Sequence, residues 1–574
     1  MLQYARTFFP DKIADWSEAG LGGVFMGLAA EVGDHMSFYL DHQFSELDPE
    51  LAVESQNIVR HLKNAGVTIT GNAPAVVSVA FAIEVPAERK GTKYVPQASA
   101  LPIIYAGSVV ESDDGILFEL TEDIDYSVTD RAGNLRATIA VGLIEGNAPK
   151  TFIMMLGGRE KLTDGPTGIC VSGFRGVDTF SIPNAFIPFR EITLANEHVT
   201  DIISVTDSDG NIYYEVDALS HDTVFRAVPN VAYDSDDVID VLQIVPAPFR
   251  FTRSTDYNTK LTTLRFGSGD ARSFNDDIIP DPSDFAIPLY GKRNFSRFSL
   301  DPGSILKTQT LGVSPVNTTI TVTYRYGGGL SHNVGPDSIR TISTLRMGFP
   351  GNPTASVATQ VRASVSVQNP ERASGGEDAL TLDELRDKVS AAKNAQSRIV
   401  TRQDLLARIY TMPSNFGRVF RAGIRANPQN PLATQLFIVS RDSLGRLIVS
   451  PDTLKKNLRT YLNQFRMISD AIDILDAQVI NFGVEFRIAV EQTAIRSLVL
   501  QDIFAKLKRF FEIRNFQIDQ PILIDDVRNI IFNTPSVVSV IDLKFRGLNS
   551  FVLERQYSDV KYDVASNIRK GLML

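Results

Sequence analysis

The residues of this chain with the right types to do chemistry sit in short clusters, and spacing decides each case. Arg372-Ala373-Ser374-Gly375-Gly376 leads into a helical pattern, as a phosphate cradle would. A P-loop, however, needs Gly-x-x-x-x-Gly-Lys-Ser/Thr behind a strand. The sequence contains no Gly-Lys-Ser/Thr, so no lysine is placed to reach the outer phosphates. The stretch from Gly267 to Arg272 begins Gly-x-Gly but has no third glycine and no helical pattern after it. Asp207-Ser208-Asp209-Gly210-Asn211 resembles a calcium loop until it is numbered. With Gly210 sixth, the first and twelfth positions fall on Val205 and Val216, neither of which supplies a carboxylate. Between β-rich flanks it reads as a hairpin turn.

Histidines and acids add little. Glu31 and His35 stand one helical turn apart, with His42 two turns further along, but His-Glu-x-x-His is absent. These histidines read as packed on a helical seam rather than as ligands. The acidic pairs Asp113-Asp114, Asp236-Asp237 and Asp276-Asp277 occupy turn-like contexts. Adjacent residues on a strand point to opposite faces, so such a pair does not by itself set two carboxylates across a bond. No Gly-x-Ser-x-Gly elbow occurs. Cys170 is the single cysteine and reads as a buried strand residue; no intrachain disulfide is possible, which fits a reducing cytoplasm. The chain is therefore expected not to be an enzyme, and no catalytic, cofactor-binding or metal-ligating residue is assigned.

The elements that would position any site must be several domains. At 574 residues the chain should form about three to five of them. A formal charge of −10 argues against nucleic acid as the main partner. The N-terminal stretch lacks the basic-then-apolar order of a signal peptide. "GLGGVFMGLAA" is too short to span a bilayer and runs into Glu31 and Asp34, so no membrane insertion is expected.

Residues 1–70 read as helical. Leu21, Phe25, Leu28, Val32, His35, Tyr39 and His42 follow alternating steps of four and three, with Ala29, Gly33, Met36 and Leu40 beside them. Such a wide apolar surface suits a helix that enters a bundle. A second helix is expected with Asp48 as cap, Pro49 in its first turn, Gly66 past its end, and Leu51, Ile58, Leu62 and Ala65 as its stripe. Residues 71–368 turn β-rich, with "VVSVAFAIEV" and "TTITVTYRY" as examples, and read as two domains. Residues 369–378 read as a flexible Gly-rich joint. Residues 379–546 read as mixed α/β, with two small α+β sandwiches in tandem expected. Helices are expected near 381–394, 402–411, 451–465, 496–514 and 524–533, and strands near 418–425, 434–440, 471–491 and 536–545. Residues 547–574 read as an arm or a further strand. The fold class is thus multidomain α+β: an N-terminal helical segment, β-rich central domains and C-terminal mixed α/β domains.

The stretch "NPERASGGEDALTLDELRDKVSAAKNAQSRIVTRQDLLARI" resembles the signature of baseplate J-like proteins, wedge components of contractile phage tails. Asn369, Pro370, Ala373, Gly375 and Gly376 match its first part; Arg398, Val400, Thr401 and Asp404 match its second. Leu405 departs from the tyrosine often found there. Similar pieces recur in family order: "VGDHMSFYLDHQFSEL", then "YYEVDALSHDTVFRAVPN" with "LRFGSGD", then "ILIDDVRNIIFNTPSVVSVIDL". Read without the family, Thr401 caps the helix that follows, with Asp404 near its positive end.

The resemblance implies a mechanical role. Family members bundle their N-terminal helices with a second copy and a smaller wedge protein. Their C-terminal domains associate with neighbouring wedges into a ring around the tail hub, sheath-side baseplate proteins are further partners, and the baseplate rearranges when contraction is triggered. Carried over, Trp16, Leu21, Phe25, Leu28, Val32, Tyr39 and Leu40 are expected bundle contacts, and residues 380–545 carry self-association. The expected location is the tail baseplate of a virion, assembled in the bacterial cytoplasm. A tailocin or secretion-type injection machine is one alternative; a carbohydrate- or receptor-binding β protein is the other.

Overall fold

A computed structural model describes residue 7 and residues 21–65, 71–129, 134–145, 148–157, 168–229, 240–270, 311–386, 398–428, 430, 433–467 and 470–547. The chain forms two compact units, Met1–Ile69 with Leu380–Ala395, and Thr70–Ala379 with Gln396–Leu574.

In the first unit, α1 (Leu21–Leu47) and α2 (Ser55–Asn64) meet at an elbow. The second helix begins later than its sequence signals suggest. Asp48 caps only an isolated turn, its Oδ1 accepting the Glu50 N–H at 2.9 Å. No side chain caps the start of α2, but the segment leading into it is tied to α1: the Glu46 carboxylate accepts the N–H groups of Val53 (2.8 Å) and Glu54 (3.2 Å) and the Asn57 side-chain amide (2.9 Å). These hydrogen bonds, that from Asn57 foremost, hold the Glu46 carboxyl below its ordinary range although burial opposes them. Leu51 accordingly lies outside the helix and is exposed, whereas Ile58 and Leu62 are buried. Gly66 lies outside the described residues. Residues 382–386 are helical, with Thr381 and Glu384 exchanging capping hydrogen bonds; the rest of the expected 381–394 helix lies outside the described residues.

The second unit is β-rich. Its first part stacks the sheet Val76–Ser78, Ile169–Ser172, Leu117–Leu120, Val109–Ser112, Ile339–Thr344 with a second one, Ser366–Gln368, Ala80–Lys90, Thr151–Leu156, Thr138–Val141. Alternation places Phe81, Ile83 and Val85 in one core with Phe118, Leu120 and Met154, and α3 (Ala355–Ala363) adds Val361. Cys170 is fully buried there, and burial pushes its thiol pKa up. A seven-stranded sheet follows, from Phe174–Ile182 and Thr318–Tyr326 across to Glu191–Glu197, around Val205, Phe251, Phe266, Ile320 and Val322. In its 207–211 hairpin the Asp207 carboxylate accepts the N–H groups of Asp209 (3.0 Å) and Asn211 (2.8 Å), with Gly210 at φ +86°.

Two α/β layers close the unit. Arg421–Ala426, Ala433–Arg441 and the parallel strand Ala471–Asp476 pack on α4 (Arg402–Tyr410) and α5 (Asp452–Asn463). The antiparallel pair Phe482–Val490 and Val537–Gly547 packs on α6 (Arg496–Phe510) and α7 (Ile524–Phe532). The single strand expected at 471–491 is therefore two strands in different sheets.

Residues 369–378 are built in rather than loose. Ser374 exchanges backbone hydrogen bonds with Val76, and Glu377 with Ala73. The Asn333 side chain bonds both backbone groups of Gly376 and also donates to the Arg441 carbonyl (3.0 Å). Glu377 and Arg441, both buried, form an ion pair, and the Arg418 N–H donates to the Gly375 carbonyl at 2.9 Å. Gly375, at φ +89°, lies so close to Gly417 that a Cβ would stand 3.0 Å from its Cα. The glycine serves close approach, not slack. Gly375→Ala should cost about 1–3 kcal/mol through strain at positive φ. Glu377→Gln should cost about 3–5 kcal/mol by stranding the Arg441 charge. Both are checked by denaturant unfolding against wild type.

Candidate functional site

The sequence places its candidate residues on α1 and on the 369–404 segment, and the two behave differently. Along α1, Phe25, Leu28, Val32, Tyr39 and Leu40 are between 50% and 63% exposed, as is Met36, and Phe44 is more open still. At about 100° per residue these side chains form a broad band. Opposite it lie Glu31, Asp34 and Asp41, and residues 21–47 contain no lysine or arginine. Space around Gly27 and Gly33 is open, with nothing within 4 Å of where a Cβ would stand. Fully burying one such aliphatic or aromatic side chain is worth ~1.5–3 kcal/mol, so a face this size represents considerable unused burial. Trp16 lies outside the described residues, as does the side chain of Leu21, whose backbone opens the helix.

The histidines of α1 form no ligand set. Phe38 stacks on His42, their ring centroids 6.2 Å apart, and His42 Nε2 lies 3.7 Å from Glu54 Oε1. His61 Nε2 is 3.0 Å from the Glu46 carbonyl oxygen. Among the described residues no group of three or more His, Cys, Asp or Glu is arranged to hold a metal.

Of the motif residues, Asn369, Ala373, Gly375, Gly376 and Asp404 are buried, whereas Pro370, Arg398, Val400 and Thr401 are exposed. Thr401 Oγ1 accepts the Asp404 N–H (3.1 Å), and Asp404 Oδ2 accepts the N–H groups of Thr401 (2.8 Å) and Val400 (3.2 Å). This reciprocal capping box starts α4. Leu405 is buried in the core with Ile409 and Leu458. Arg398 is exposed, one residue before Ile399, whose N–H donates to the Phe465 carbonyl. Gly375 and Gly376 serve the contacts with Gly417 and Asn333 rather than the Thr401 cap.

No protein-family model and no curated relative matches this sequence. Among solved structures, the chain is similar to one in the six-fold symmetrised cryo-EM structure of the anti-feeding prophage baseplate. That likeness has 10% identity, covers 95% of this chain and 86% of the other, and has a TM-score of 0.27. Similarity of that degree transfers neither a fold nor a role.

Sequence reasoning missed two features. A buried ion cluster joins the first β part to the seven-stranded sheet, with Glu119 2.9 Å from Arg325 and 3.4 Å from Arg175. Its members come from strands far apart in the chain, and nothing local announces them. The other is a set of uncovered apolar hairpins: Ile139, Val141, Leu143 and Ile144 on one, Phe225 and Ile244 on another. Their β-branched character was readable; their exposure was not.

Burial opposes the Asp404 charge, but the Thr401 and Val400 N–H groups and nearby Arg408 outweigh it, so its carboxyl is held below the ordinary range. A depressed folded pKa contributes stability above the unfolded value, about 3.9, that is lost as pH falls through the folded value. Asp404→Asn should therefore destabilise α4 at neutral pH. Its gap from wild type should narrow as pH falls below about 4. Thr401→Ala should cost about 1 kcal/mol. Urea unfolding across pH 3–7 checks both.

Proposed function

We propose that this chain is a structural wedge subunit of a contractile baseplate, acting by assembly rather than as an enzyme. The observation that carries this reading is α1, a 27-residue helix whose apolar band is left open along its length. A helix of that length with an uncovered face is a component awaiting partner helices. In the proposed bundle, Phe25, Leu28, Val32, Tyr39 and Leu40 contact a second copy and a smaller wedge protein, with Trp16 and Leu21 extending the seam. The signature resemblance at residues 369–404 supports the same reading, because its glycines and its Thr401–Asp404 box occupy structural contacts rather than a pocket.

In this role the C-terminal α/β layers meet neighbouring wedges in a ring around the tail hub, and the baseplate rearranges when contraction is triggered. The chain would be made in the bacterial cytoplasm and reside in the tail baseplate. A tailocin or secretion-type injection machine would use the same surfaces.

Light scattering after size exclusion, on the full chain with and without Phe25→Asp, tests the bundle. Loss of that ring should weaken association about thirtyfold, corresponding to ~2 kcal/mol of apolar burial, and circular dichroism should keep the β signal. Association equal to wild type would remove the seam from this role.

A further inference from the structure

The sheet that carries Ala80–Lys90 ends in Thr138–Val141, which pairs only with Thr151–Leu156 among the described residues. The Gly142 N–H donates to the Thr151 carbonyl at 3.0 Å, and this fixes the alternation along the strand. Backbone groups of Thr138 and Ala140 face the neighbouring strand; those of Ile139 and Val141 face the open edge. All four residues are exposed. Ile139 and Val141 are 41% and 52% exposed although they lie on the same sheet face as buried Phe152 and Met154. That core face is therefore left unfinished at this edge.

Edge strands are ordinarily blunted by charge, proline or a bulge. Thr-Ile-Ala-Val has no charge and no proline, and its register is unbroken. It is also complementary to itself. Laid antiparallel about Ala140, Ile139 of one copy opposes Val141 of the other, and the outward backbone groups of both meet as hydrogen-bonded pairs. Ala140 then faces its own counterpart as a non-hydrogen-bonded pair, where Cα atoms approach to about 4.5 Å and a small side chain fits best.

We propose that the Thr138–Val141 edge pairs antiparallel with the same edge of a second copy, centred on Ala140, making one continuous sheet across the two chains. The occupant is a second copy because the edge supplies both halves of the match: backbone groups in register, apolar side chains on the core face, and no charge to repel. This surface is separate from α1, so the pairing stands or falls independently of the baseplate reading.

The test is disulfide trapping in the full chain, where the only native cysteine, Cys170, is fully buried. Under a mild oxidant, Ala140→Cys should give a covalent dimer, since the paired Cα separation falls within disulfide range. Thr138→Cys should not, because its counterpart would lie about 13 Å away along the strands. Adding Val141→Lys to Ala140→Cys should abolish the dimer by placing charge on the edge. A monomeric Ala140→Cys protein, equal trapping at both positions, or trapping that survives Val141→Lys would each overturn the pairing.

Discussion

The second unit depends on one clasp: the buried ion pair between Glu377 and Arg441 and the hydrogen bonds gathered around it. Glu377 belongs to the segment woven beside Ala73 and Val76, while Arg441 ends a strand of the C-terminal α/β layer. Asn333 ties both sides by donating to the carbonyls of Gly376 and Arg441. Arg418 reaches the Asp378 carbonyl at 3.1 Å, and Ser414 Oγ donates to the Thr200 carbonyl at 2.7 Å on the seven-stranded sheet. With the Glu119–Arg325 pair, three layers that each have their own apolar core are fastened by polar contacts. Buried charges of this kind add little over an apolar contact of equal volume, but losing one partner is severe. The arrangement thus fixes geometry more than it adds stability.

Apolar surface in this molecule is divided unevenly. Each β or α/β layer has a core of its own, whereas α1, the 138–144 hairpin and the paired strands Thr223–Pro229 and Asp240–Pro246 carry exposed apolar side chains, as does the last layer at Phe504, Phe532 and Ile541. A two-stranded ribbon such as Thr223–Pro229 with Asp240–Pro246 is marginal in water unless something lies against it.

Where the determinants were local, the sequence could be read. Thr401 and Asp404 are three residues apart, and their capping box needs nothing beyond that spacing. The Asp207 turn is likewise self-contained, its carboxylate taken up by its own loop. Reading failed where a residue outside the local signal decided the outcome. Asp48-Pro49 carries a good helix-start signal, yet Glu46 takes the N–H groups of Val53 and Glu54, and the helix begins only at Ser55. Gly375 looked like slack because its reason, the backbone of Gly417, lies forty-two residues further on. The apolar seam of α1 was legible, but periodicity cannot say whether a face is covered.

The clasp also constrains the order in which the chain can fold during synthesis. Its contacts span 108 residues from Asn333 to Arg441, 206 from Glu119 to Arg325 and 347 from Gly71 to Arg418. Loop closure over such spans grows only slowly costlier with length, so entropy is not the main obstacle. The obstacle is timing: Glu377 leaves the ribosome without a counter-charge until Arg441 follows it. The β layers can collapse early, joined by Glu119 and Arg325, but Asn333 and Glu377 have no partner across the clasp before the α/β layer exists. Until then the nascent chain carries a hydrated, unfinished seam, which closes only when the Ala433–Arg441 strand arrives.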